Sequence, residues 1–127
     1  MNKFCSFLLL TILLIACDSA TTEPSEGCDN LVATYNTNVK QIIDQTCAYS
    51  SCHDGAGLGP GDYSTYGGLN NIINNGSFVN RVIDQADNPS IGMPPDMSIY
   101  AFSLQDDLSA EQMEIIMCWI DAGFPEG

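Results

Sequence analysis

The chain has 127 residues, with three Lys or Arg against sixteen Asp or Glu and a formal net charge of −13 at pH 7. That length holds one small domain rather than two. The acidity excludes nucleic acid and anionic membrane surfaces as binding partners; it suits basic partner proteins or bound cations, or simply a solvated acidic surface.

Residues 1–16 read as a processing signal rather than as part of the fold. Lys3 supplies a short positive start, and the apolar run Phe4–Ile15 is too short to span a bilayer core, which needs about 20 apolar residues. It suits the h-region of a secretory signal. The run closes on Leu14-Ile15-Ala16-Cys17, which looks like a bacterial lipobox. Cys17 is then expected to be the lipidated first residue of the mature chain; a plain cut near Ala16 or Ala20 is the alternative. The expectation is an exported, membrane-anchored bacterial lipoprotein, facing the periplasm or the cell surface and held to the membrane by its N-terminal lipid. After cleavage Lys40 and Arg81 are the only Lys or Arg left.

Residues 17–27, from lipidated Cys17 through the polar stretch DSATTEPSEG, predict a flexible tether. The domain then covers residues 28–127. Once Cys5 leaves with the signal and Cys17 carries lipid, four cysteines remain: Cys28, Cys47, Cys52 and Cys118. An oxidising compartment favours pairing, and four cysteines allow three connectivities.

Within the domain, a first helix is predicted from about Thr37 to Cys47, capped by Asn36 or Thr37, with Val39, Ile42, Ile43 and Thr46 at helical spacing. The glycine-rich DGAGLGPGDY after His53 predicts a loop. Ser64 is placed to cap a short helix over 65–74, with Leu69, Ile72 and Ile73 on its apolar face and Asn75-Gly76 as its stop. A further turn or short helix is predicted around 78–83. The segment 86–102, with three prolines, reads as irregular. The last helix is the best marked. Ser109 and Gln112 form a capping box, Met113, Ile116, Met117 and Ile120 line one face beside Trp119, and Gly123 ends it. No strand-like alternation of useful length occurs, so the fold class is all-α, small and loop-rich.

The chemistry is concentrated in QTCAYSSCHDG, residues 45–55, which holds the chain's only histidine. The pattern C-x-x-C-H reads as covalent haem attachment. On a helix, steps of about 100° per residue bring both sulfurs and the imidazole of that pattern to one side. Here the spacing is C-x4-C-H, with Cys47, Cys52 and His53. The helix must therefore end near Cys47 and residues 48–51 must bulge for both sulfurs to meet one porphyrin.

From Cys47 to the C-terminus the chain resembles class I cytochromes c, above all the small cytochrome-like domains of bacterial lipoproteins and planctomycete proteins. The matching pieces come in the family's order: the C-x4-C-H segment, Leu58-Gly59-Pro60, the short helix near Tyr66, Arg81-Val82, Met93-Pro94-Pro95, and a closing helix from Leu108-Ser109 to Trp119-Ile120 and Gly123. The resemblance covers most of the domain. It implies three to five helices packed around a haem pocket, with one haem c bound covalently. Cys47 and Cys52 would form the thioethers and His53 the proximal ligand. Pro60 would accept a hydrogen bond from the imidazole's other nitrogen. Met93 would be the distal ligand, with Met97 as its competitor, and Arg81 would pair with a haem propionate. Trp119 and the last helix would wall the pocket. Met113 and Met117 are read as packing.

The general cytochrome pattern does not use Cys28 and Cys118. Because that family packs its first and last helices together, a Cys28–Cys118 disulfide is expected to close the domain across its termini. Pairing of Cys28 with Cys47 would instead limit haem to one sulfur. The function implied is one-electron transfer between redox partner proteins with basic docking surfaces, and not enzymatic catalysis. Two alternatives stand beside it. One is a haem-free, disulfide-stapled binding lipoprotein on a cytochrome-like scaffold, with Cys47 joined to Cys52. The other is a metal-binding protein using Cys47, Cys52 and His53 with Cys118 or Cys28.

Overall fold

A computed structural model of the protein describes residues 27–127. The expected signal, the lipidation at Cys17 and nearly all of the tether lie outside the described residues. Within them the protein is helical and has no strand; the sole ladder-like contact is an isolated bridge between Asp54 and Asp62. No described helix is long and apolar enough to cross a membrane.

The first helix begins as one widened (π) turn at Tyr35–Val39 and continues as α1, Lys40–Thr46. Its cap is Thr34, not Asn36 or Thr37: the Thr34 hydroxyl oxygen accepts from the Thr37 amide, and the Thr34 hydroxyl donates to the Thr37 hydroxyl oxygen at 2.8 Å. The earlier start is favoured because Tyr35 is buried and its amide is bonded to the Pro125 carbonyl, so the entry turn belongs to the core. α2 is Tyr66–Asn74, capped by Thr65, one residue beyond the predicted Ser64. α3, Ser77–Val79, runs directly into a second widened turn, Asn80–Asp84. Residues 85–109 are turns and irregular backbone.

α4 is Ala110–Asp121, and it carries the predicted capping box at Ser109 and Gln112. One expectation about this helix fails. Met117 is exposed, whereas Ile116, Cys118 and Trp119 are buried. At about 100° per residue, Met117 lies roughly 160° around the helix from Trp119. The buried arc is centred on Trp119 and widened by Cys118, so the Met117 side chain faces solvent.

The core gathers Ala33, Tyr35, Val39, Ile42 and Ile43 from the first helix and its approach, Leu69 from α2, Phe78 and Val82 from the α3 region, and Ile116, Cys118 and Trp119 from α4. Trp119 is completely buried and sits at its centre. Phe78 and Phe124 meet its ring edge-on, at centroid distances of 5.6 and 5.0 Å, and its indole N–H donates to the Pro125 carbonyl. Such edge-to-face aromatic contacts add to simple area burial.

Cys28 and Cys118 form a disulfide with Cα atoms 5.4 Å apart, joining the start of the described domain to its last helix. Cys47 and Cys52 are free thiols. This pairing corrects both competing uses of the cysteines: Cys28 is not bonded to Cys47, and neither Cys28 nor Cys118 is left as a thiolate ligand for a metal.

Candidate functional site

α1 ends at Thr46, and Cys47 caps it with non-helical dihedrals. The Cys47 and Ala48 amides both donate to the Ile43 carbonyl, which unwinds the helix at the first cysteine. The four residues Ala48–Ser51 then loop outward, with Ser51 at φ +79°. The excursion closes on itself, because the His53 amide donates to the Cys47 carbonyl at 3.0 Å and the Cys52 amide donates to the Tyr49 carbonyl. The bulge required by the C-x4-C-H spacing is therefore present, and it returns His53 to the side of Cys47.

The glycine-rich loop is laid across the histidine. The Gly59 amide donates to the Cys52 carbonyl and the Tyr63 amide to the His53 carbonyl. His53 is buried, and its Nδ1 lies 2.8 Å from the Pro60 carbonyl oxygen. A carbonyl only accepts, so Nδ1 carries the proton and Nε2 keeps its lone pair. Gly59 is required by this contact: a Cβ there would lie 2.6 Å from the ring's Cε1 and Nδ1. On its other side the imidazole stacks on Tyr63, with centroids 4.3 Å apart and planes 22° apart.

Two cavities of about 220 and 340 Å³ meet at a shared wall of Cys47, His53, Pro60 and Met93. The smaller opens past Cys52, Leu58, Tyr100 and Phe102. The larger runs under Leu69, Ile72, Phe78 and Val82, with Arg81 at its border. The structure thus brings Cys47, Cys52, His53, Pro60 and Met93 to one cleft. Met97 is exposed and lines neither cavity, which separates the two methionines that the sequence left in competition. Arg81 reaches the larger cavity, but its guanidinium donates to the Ile91 carbonyl at 2.9 Å.

Burial sets the protonation of the donors. Desolvation pushes the Cys47 thiol up to about 11, against the lowering effect of the Thr46 hydroxyl beside it. His53 is held below the ordinary imidazole value chiefly by burial, opposed by its bond to Pro60. The folded ligand-free chain therefore binds a proton at His53 less readily than the unfolded chain does, so His53 contributes stability above about pH 6.5 that is lost as pH falls towards the lowered folded value. Urea unfolding of the ligand-free chain between pH 8 and pH 5 should show this loss, and His53→Gln should flatten that part of the profile. Identical slopes for the two proteins would rule it out.

Four aromatic contributors were not evident from sequence. Tyr63 reads in the sequence only as the end of the glycine-rich loop, and its stacking on His53 goes with the Asp54–Asp62 bridge that folds the loop back. Tyr49 lies in the bulge, where its hydroxyl accepts from the Leu104 amide and engages Cys52 and Ser103, tying the loop to a segment more than fifty residues away. The aromatics Tyr100 and Phe102 close the mouth of the smaller cavity. The one sequence signal for these positions was their aromatic character within irregular segments.

Compared with known proteins, the chain matches no family model, no curated protein and no solved structure.

The donor set fits a covalently held haem. Two free thiols, an imidazole with a fixed tautomer and a thioether share one cleft, and that cleft is lined mainly by apolar side chains. Among the described residues, no three His, Cys, Asp or Glu side chains converge closely enough to hold an ion.

Proposed function

We propose that this protein is a single-haem c-type cytochrome, with a cytochrome c-like fold, that carries single electrons between partner proteins. The observation that carries the proposal is the Nδ1 contact of buried His53 with Pro60, made inside the cleft that Cys47, Cys52 and Met93 also line. Cys47 and Cys52 would hold the haem by thioether bonds, and His53 would present Nε2 to the iron. Met93 would hold the iron through its thioether sulfur, a donor that favours ferrous iron and raises the potential. The bound haem would supply a one-electron iron couple.

The chain's own residues do the rest. Pro60 and Tyr63 fix the imidazole plane, Gly59 lets the loop approach it, and the apolar lining keeps water from the cleft. With His53 and Met93 both holding the iron, a bound haem would serve electron transfer rather than substrate turnover. The exposed apolar residues Leu58, Tyr100 and Phe102 stand at the mouth of the smaller cavity. Docking there would be steered by the surrounding acidic surface towards basic partners, so transfer rates should fall with added salt. Export and anchoring through lipid on Cys17 complete the proposal.

The test is expression of the full chain in cells that mature c-type cytochromes, followed by haem staining of a denaturing gel. Wild type should keep its stain and Cys47→Ser/Cys52→Ser should lose it. A wild-type protein that retains no haem would leave the haem-free, disulfide-stapled binding lipoprotein as the reading.

A further inference from the structure

The widened turn at Asn80–Asp84 is hydrogen-bonded to the segment that carries Met93. In a regular α-helix the Arg81 carbonyl would accept from the amide of Gln85. Here Gln85 donates instead to Asn80, one residue earlier, and to Ile83. The Arg81 carbonyl is thereby released from the helix, and it accepts the Met93 amide at 3.0 Å. The Arg81 guanidinium meanwhile donates to the Ile91 carbonyl at 2.9 Å. One residue therefore grips the segment on both sides of Gly92, through its main chain at Met93 and through its side chain at Ile91.

Gly92 makes the same point from the other partner. Its amide donates to the Asn88 carbonyl at 2.7 Å. A Cβ on it would lie 2.5 Å from the Gln85 oxygen and 2.7 Å from that of Ala86. Those are backbone atoms and cannot swing aside, so the segment sits hard against the end of the widened turn. Widened turns of this kind occur often at functional sites, because they free a backbone group for another task.

We infer that Arg81 is a positioning residue for Met93, and that the widened turn at Asn80–Asp84 serves to offer the Arg81 carbonyl and side chain to the Ile91–Met93 segment. This assignment rests on the cytochrome reading, and it replaces the pairing of Arg81 with a haem propionate by a structural grip on the methionine. Arg81 touches neither iron nor partner in this role. It sets how firmly Met93 is held over the cleft.

The test uses the haem-loaded full chain and three variants: Arg81→Gln, Arg81→Lys and Gly92→Ala. Haem staining comes first; absence of haem in wild type defeats the cytochrome reading, whereas the inference is judged only on proteins that stain. Three readouts follow: hydrogen exchange at the Met93 amide, the pH at which the sulfur-to-iron absorption band disappears, and the reduction potential. Loss of the guanidinium bond in Arg81→Gln should speed Met93 exchange by about tenfold, on the scale of one hydrogen bond, and move loss of the band to lower pH. Arg81→Lys should restore part of the difference, since its ammonium offers a donor without the fork. Gly92→Ala should act like Arg81→Gln without altering any cavity side chain. Wild-type exchange and band in both Arg81→Gln and Gly92→Ala would overturn the inference. A changed potential in Arg81→Gln with unchanged Met93 exchange would also overturn it, and would return Arg81 to a propionate.

Discussion

Removing the terminal disulfide, by Cys28→Ser/Cys118→Ser, is expected to lower the stability of the domain by about 4–5 kcal/mol. The bond joins residues 90 apart, and cross-linking a loop of that length restricts the unfolded chain by roughly this amount. A domain of about 100 residues is stable by only about 5–15 kcal/mol, so the loss is a large share of the total. The melting midpoint should fall by about 20 °C. The double substitution is the cleaner variant, because a single change would leave one thiol free to compete with Cys47 or Cys52. Calorimetry of the variant against wild type checks the size of the effect. A shift of only a few degrees would mean that packing around Trp119, rather than the cross-link, holds the termini together. Haem staining of the variant should be unchanged, since the disulfide and the two free thiols use different cysteines.

Under the proposed cytochrome function, Met93→Ala is expected to abolish the sulfur-to-iron band of the ferric haem-loaded protein and to lower its reduction potential by on the order of 100–300 mV, part of the about 0.8 V range that haem ligands command. Met97→Ala should leave both unchanged. The difference follows from position: Met93 lines both cavities beside His53, while Met97 is exposed and lines neither. The pair of variants has opposite outcomes under the two assignments, so potentiometry and a ferric spectrum of each decide between them. A band that survives Met93→Ala and vanishes in Met97→Ala would require the 93–97 segment to turn over on haem binding.

Much of the helical framework was legible in the sequence because its signals are local. The capping box at Ser109 and Gln112 needs only residues three apart, and it is present with both hydrogen bonds. The stop of α2 before Asn75-Gly76 is equally local, and so is the loop nature of 54–62. Two misplaced features depended on distant partners. The first helix starts early because the tail after α4 bonds the Tyr35 and Asn36 amides. Met117 turns outward because burial is centred on Trp119, a choice that apolar spacing alone leaves open.

For the site the division is similar. Residue types and spacing marked out Cys47, Cys52 and His53, and the family resemblance added Pro60 and Met93, with Met97 as its competitor. They also set the need for a bulge, because helical rotation puts cysteines five apart on different faces. Tertiary structure decided which cysteines pair, because a disulfide depends on Cα atoms meeting across 90 residues of chain. It also decided that the bulge closes through His53 and Cys47, that Tyr63 stacks on the imidazole, and that Arg81 spends its carbonyl and guanidinium on the Met93 segment. Hydrogen bonds and stacking between remote residues leave no spacing to read. They come into being only when the folded backbone brings the groups together.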